Sequence, residues 1–408
     1  MNSRRNFTLL VLIAITNGSI PILTGSTLFV WLKESGLNIQ TIGLYSLANL
    51  PVVLSFAISA LLEYGARHKI ISYKYILIAS LAISSLLVYI LPTAIQQPHR
   101  LFIICLCLSI STTIARIILL ALQKLLFNDR QLITVINIST IGFKIGLLLG
   151  GSLALYLSQF YQWEVLYHYF AGLILVFTTS IALLAPRQLW QANYNDSSTS
   201  LLHQFSAPFI SLFKLPFVWS IILLMFFYRA PDNLITHYFD LFYLHFGLSK
   251  TNVAFGYKLY GMLTASLGGI LCIRLIRGRS YIHNLQIALA LHLLSYVLIY
   301  GFTLWHAPLW AFYLCVTCEE FSRGMTMIMF WSFQTHICTR QHVLIQLAIL
   351  TAIDSLSYSL LSAIAGAIIA RFDYNYFILI IVLSFIPAFM ILSRLKNSEY
   401  NVIYQASK

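Results

Sequence analysis

The seventeen residues from Tyr376 to Leu392 carry no charge, and the twenty from Ile103 to Leu122 carry one, Arg116. About 20 apolar residues, rising 1.5 Å each, cross a hydrocarbon core of about 30 Å. Backbone polar groups in lipid must be satisfied within the segment, so apolar blocks of this length demand helix. Comparable blocks recur along the chain, including Val11 to Ile15, Ile76 to Leu91 and Ile221 to Phe227. Only 9% of the 408 residues are charged, against 59% apolar, whereas soluble proteins carry about 25% charged residues. So few charges cannot clothe a water-exposed surface. The expected class is an all-α membrane protein.

The blocks predict twelve spans, at about 7–32, 40–62, 75–92, 101–123, 132–158, 165–185, 217–245, 253–276, 283–304, 308–335, 343–370 and 375–394. Met1 to Arg5, followed by Phe7, imitates the start of a secretory signal. Its apolar run is too long for one and no small-x-small site follows, so it is read as the first retained span. Trp31, Tyr73, Trp163, Trp305 and Trp310 stand near span ends, where interface anchors are expected.

A net charge of +13 would suit a nucleic-acid partner, but its distribution reports topology instead. With the N-terminus in the cytoplasm, sixteen Lys and Arg residues fall in cytoplasmic segments. Four fall outside, namely Lys33, Arg100, Lys250 and Arg371. This positive-inside bias predicts that both termini are cytoplasmic, with lipid and not nucleic acid as the surrounding partner. Six cysteines are too few and too scattered for a disulfide scaffold. Cys315 and Cys318 form a CxxC at mid-span with no second pair, and read as buried thiols. His168, His237, His292 and His306 show no i, i+4 pairing with an acidic base, so no metal site and no cofactor are assigned.

The polar stretch from Arg187 to about Lys214 divides six spans from six. It sets the expected domains as an N-terminal bundle over 1–188, a cytoplasmic linker over 189–215 and a C-terminal bundle over 216–408. Ser35-Gly36-Leu37-Asn38 and Phe246-Gly247-Leu248-Ser249 recur 211 residues apart, each leading into the second span of its half. Together with the span count this points to two pseudo-symmetric six-helix bundles. That is the arrangement of parallel repeats found in major-facilitator transporters.

Ten charges lie inside predicted spans: Arg116, Lys144, Arg229, Lys258 and Arg323, with Asp232, Asp240, Glu319, Glu320 and Asp354. Each costs about 2.5–3.5 kcal/mol at mid-span unless it finds a partner or a watery cavity. Helical spacing puts Arg229, Asp232 and Asp240 on one face of span seven, and brings Glu319 within reach of Arg323 four residues on. Pro231 removes a backbone hydrogen bond there and predicts a kink. Buried pairs that lock helices together would explain any one of these residues. The cluster as a whole favours a polar cavity.

Several segments resemble the AmpG-type muropeptide permeases of the major facilitator superfamily. Thr27-Leu28-Phe29-Val30-Trp31-Leu32, Gly36 and Thr41-Ile42-Gly43-Leu44-Tyr45-Ser46-Leu47 resemble that family's first-loop region. Lys144-Ile145-Gly146 with Gly150-Gly151 is similar to its span five, and Tyr228-Arg229-x-x-Asp232 with Lys258-x-x-Gly261 to its spans seven and eight. Glu319-x-Phe321-x-x-Gly324 and Gln346-x-Ala348-x-Leu350 resemble spans ten and eleven. The chain departs from the pattern in lacking an acidic residue in span four, where Arg116 stands. Arg323 replaces a small residue, and Asp354 and Tyr358 are unlike the family. Leu62-Glu63-Tyr64-Gly65-Ala66-Arg67, followed by His68 and Lys69, holds a degraded form of the superfamily's gating motif.

The resemblance implies a proton-driven importer of anhydromuropeptides in a bacterial inner membrane, working as a monomer and not as an enzyme. Arg229, Lys144, Lys258 and Arg116 are then the expected ligands of the solute's carboxylates. Asp232 and Glu319 are the expected proton carriers, because burial disfavours the charged form of a carboxylate. Two alternatives stand beside this reading: a carrier of another anion such as an acyl-coenzyme A, and a polytopic membrane transferase. The short loops argue against the transferase, since such enzymes expose their acids and histidines on sizeable loops.

Overall fold

The computed structural model describes residues 3–67, 72–127, 129–185, 210–213, 217–275, 280–305, 308–338 and 343–397. All regular structure among them is helical. The helices line up with the predicted spans to within a few residues. They are α1 (Arg5–Glu34), α2 (Ile39–Leu62), α3 (Tyr73–Ala94), α4 (Pro98–Leu126), α5 (Val135–Leu157) and α6 (Trp163–Leu184) in the first half. The second half holds α7 (Val218–His245), α8 (250–275), α9 (Tyr281–Leu304), α10 (Leu309–Ile337), α11 (343–372) and α12 (374–397). The apolar run Ile345–Lys396 is 52 residues long, too long for one crossing. Asp373, at φ 63° and ψ 172°, breaks it into α11 and α12.

By packing, the chain divides into two compact units, residues 1–37 with 45–199, and residues 38–44 with 200–408. The expected boundary at 188 and nearly all of the linker 189–215 lie outside the described residues, as do His68, Lys69 and the side chains of Glu63 and Arg67. Ile39–Leu44, the start of α2, groups with the second unit because it packs on α11.

The same packing scheme recurs in each unit. In the first, α1 lies on α5, α2 on α4, and α3 on α4 and α6. In the second, α7 lies on α11, α8 on α10, and α9 on α10 and α12. Small residues set the closest crossings, since lipid offers no hydrophobic drive between helices and backbone approach must supply the contact. Gly142, Gly146 and Gly150 form a stripe on α5 that faces the carbonyls of Val11, Ile15 and Ser19 on α1. Gly324 of α10 meets the carbonyl of Ala265 on α8 in the same way.

The repeated tetrapeptides have a physical role. Gly36 and Gly247 sit at φ 86° and 85°, a left-handed conformation that glycine adopts without a Cβ penalty. At the first, Leu37 N–H donates to Leu32 O and Gly36 N–H to Lys33 O. At the second, Leu248 N–H donates to Tyr243 O and Gly247 N–H to Leu244 O. Both turns are Schellman caps closing the first helix of their half.

Candidate functional site

The second unit holds a buried polar core, and α7 supplies its axis. This helix is not continuous. It runs Val218–Phe227, Ala230–Ile235 and Phe239–His245, with turns at Tyr228–Arg229 and Thr236–Tyr238. Pro231 near the start of the middle segment leaves the carbonyl of Phe227 without its helical donor, which explains the first break.

The break corrects one expectation from spacing. Arg229 caps the middle segment at φ −102° and ψ 10° and does not share a working face with Asp232. Arg229 turns to α11, where its Nη1 lies 2.8 Å from Asp354 Oδ2. Asn233 and His237 follow it one and two turns along. Asn233 Nδ2 donates to Ser357 Oγ at 3.1 Å, and His237 Nε2 is 2.7 Å from Tyr358 Oη. A polar seam thus joins α7 to α11, built on Asp354 and Tyr358, the residues that depart from the family pattern. Asp232 and Asp240 point elsewhere.

Asp240 meets Lys258 of α8, Oδ2 to Nζ 2.7 Å, with both side chains at least nine-tenths buried. Lys258 sits within a π-helical stretch, Val253–Tyr260, whose extra residue per turn re-aims side chains in the middle of a span. Lys258, an anion ligand in the sequence reading, thus has Asp240 as its partner inside the protein. Arg323 of α10 keeps the i, i+4 contact expected from spacing and adds a closer one. The Glu319 contact exists at 3.6 Å, but the guanidinium bonds directly to Glu320, three residues away.

Asp232 and Glu319 remain. Asp232 is 2% exposed and its Oδ1 lies 3.3 Å from His292 Nε2 and 3.4 Å from Tyr296 Oη, both on α9. Glu319 is fully buried and neither of its carboxylate oxygens has a hydrogen-bond partner. One donor atom from each of Asp232, His292 and Glu319 lies within 4.8 Å of the others. His292 was missed by local spacing because its partners come from α7 and α10, and helical periodicity reports neighbours on one helix only.

Of the other sequence candidates, Arg116 is exposed on α4 and Lys144 is half-buried on α5, both in the first unit. Cys315 is buried, as expected, whereas Cys318 is only half-buried.

The Major Facilitator Superfamily model matches residues 7–343. A Rickettsia felis protein carrying the name transporter AmpG 2 is 32% identical to this chain, covering 96% of it and 95% of the relative. The chain is an AmpG-type permease of the Major Facilitator Superfamily. The Rickettsia bellii protein of the same name is 33% identical over 95% of this chain and 96% of its own. A second Rickettsia bellii protein, named transporter AmpG 1, is 25% identical over 96% of this chain and 98% of its own. Among solved structures the fold is shared with a D-xylose-proton symporter, at TM-score 0.76 and 12% identity over 96% of this chain and 97% of the other. It is shared too with the nucleoside transporter NupG, at TM-score 0.72 and 18% identity over 98% and 100%. The permease is thus a multi-pass membrane protein and a secondary transporter. The transferase alternative falls away, because both the family and its relatives are transporters.

Proposed function

We propose that this permease imports anhydromuropeptides into the cytoplasm, driven by the proton gradient. One observation supports proton coupling above all. Arg229, Lys258 and Arg323 each hold an acidic partner, Asp354, Asp240 and Glu320, so that Glu319 only shares Arg323, at 3.6 Å, and Asp232 has no arginine or lysine in contact among the described residues. Such groups in a low-dielectric interior are stable only with a cation bound, and a proton is the smallest. The AmpG-named relatives, matched over nearly their full length, support the choice of solute.

In this reading Asp232 and Glu319 carry protons, and Arg229 meets a solute carboxylate. Its Nε has no partner and its Asp354 contact is 16% exposed on the arginine side, so a solute anion can compete for it. Lys144 and Arg116 are the anion ligands proposed in the first unit. Lys258 now serves the Asp240 pair first. The sixteen-to-four basic asymmetry supports cytoplasmic termini, and the AmpG-named relatives support a bacterial inner membrane.

The test is uptake of a labelled anhydromuropeptide into proteoliposomes holding the purified permease. Accumulation under an imposed inward proton gradient, abolished by a protonophore, is the expected result. Equal uptake with and without the gradient would contradict proton coupling, and no uptake beside active transport of an acyl-coenzyme A would contradict the solute.

A further inference from the structure

The charges of the buried core do not balance. Among the described residues of the second unit it contains five carboxylates, Asp232, Asp240, Glu319, Glu320 and Asp354, and three basic groups, Arg229, Lys258 and Arg323, each in contact with one of them. Five negative against three positive leaves two negative charges, and both fall on the group that surrounds His292. A buried charge without a partner is among the costliest features a fold can carry.

We infer that Asp232, His292 and Glu319 form one site that holds two protons, and that His292 is a proton-binding residue of the transport cycle. This rests on the proton-driven reading above and extends it from single carriers to a shared site with a defined count. One proton lies in the Asp232–His292 pair, where the oxygen and nitrogen are 3.3 Å apart and Tyr296 Oη flanks the carboxylate at 3.4 Å. The second lies on Glu319, whose oxygens accept no hydrogen bond and whose nearest cation, Arg323, is engaged by Glu320.

Among the described residues of the second unit, each arginine or lysine near this site already has a carboxylate in contact. From α7 the site is faced by Asp232, by the hydroxyls of Tyr228 and Tyr243, and by the field of Arg229, whose guanidinium bonds to Asp354 of α11. From α9 come His292 and Tyr296, and from α10 come Glu319, Glu320 and Arg323. Lys258 of α8 is held by Asp240. The ring of Phe385 on α12 stands edge-on to the His292 imidazole at 5.7 Å and offers no charge. The three donor atoms lie within 4.8 Å of one another and the Asp232 oxygen is 3.3 Å from the imidazole nitrogen, so a small approach of the side chains brings them to proton-transfer distance. A carrier that loads this site on one side of the membrane and empties it on the other moves two protons in each cycle.

The count can be read on the purified full-length permease at neutral pH with no solute present. Infrared spectroscopy registers each protonated carboxyl through its carbonyl stretch, assigned by loss in Asp232→Asn and Glu319→Gln and by displacement in Glu319→Asp. Nitrogen-15 NMR of labelled histidine, assigned with His292→Gln, registers whether the imidazole is singly or doubly protonated. Counted above two ionised carboxylates and a neutral, singly protonated imidazole, the expected total over the three residues is two, wherever the proton of the Asp232–His292 pair resides. A total of zero, one or three overturns the inference. If a Gln or Asn variant does not fold, the Asp232→Glu and Glu319→Asp displacements alone assign the bands. Since no solute enters the measurement, its failure and a failure of anhydromuropeptide uptake are separate results.

Discussion

Arg229 and Asp354 meet across α7 and α11, Nη1 to Oδ2 at 2.8 Å, while Asp232, only three residues from Arg229, faces His292 and Tyr296 of α9, 3.3 and 3.4 Å away. The Pro231 break separates two duties on one helix. The Arg229 side joins α7 to α11, and the Asp232 side carries the unbalanced charge.

The Arg229–Asp354 pair is expected to be worth about 1–3 kcal/mol to the fold. This is less than the 3–5 kcal/mol lost when a fully buried pair is broken, because the two side chains are 16% and 12% exposed. Asp354→Asn should lower the thermal midpoint in detergent, and Arg229→Gln/Asp354→Asn should recover part of the loss. Equal losses that simply add would show that the contact contributes nothing.

Arg323 should couple more strongly to Glu320 than to Glu319. Residues in direct contact show interaction energies of about 0.5–3 kcal/mol in double-mutant cycles. The Glu320→Gln/Arg323→Gln cycle should fall in the upper half of that range and the Glu319→Gln/Arg323→Gln cycle near its floor. The reverse order would restore the i, i+4 pairing expected from sequence.

Close helix crossings should respond to size. Gly324→Leu drives a side chain into the carbonyl of Ala265, and Gly146→Leu into that of Ile15. Each should cost about 1–3 kcal/mol by overpacking, or prevent folding. Gly172→Leu is the control, since nothing lies within 4 Å of a Cβ built there. Comparable yield and melting for all three would show that the crossings are loose.

The span count, the two-fold repeat and the identity of the interior charges were legible in the sequence because lipid imposes them locally. Apolar length, basic asymmetry and a glycine after each first helix are properties of short segments. The Gly36 and Gly247 match, slight as a sequence signal, marks the same six-to-one hydrogen bond in both halves. Pairing was legible only where helices stay continuous. Arg229 and Asp232 were assigned one face on the assumption of an unbroken α7, and the turn at Tyr228–Arg229 undoes it. Glu319 was paired with Arg323 by spacing, yet Glu320 is closer, because side-chain reach and not register decides between i+3 and i+4. His292 and the His237–Tyr358 contact bring together residues more than fifty positions apart, and no single-helix pattern encodes them.

The central claim is that Asp232 carries a coupling proton, and Asp232→Asn tests it most directly, because the amide imitates the protonated acid in shape and charge. Reconstituted at the wild-type level, this variant should still exchange labelled anhydromuropeptide against unlabelled solute across the proteoliposome membrane. It should lose accumulation under an imposed proton gradient. Exchange kept and accumulation lost is the result the account requires. Wild-type accumulation by Asp232→Asn would contradict it, and would move the coupling site away from the Asp232–His292–Glu319 cluster.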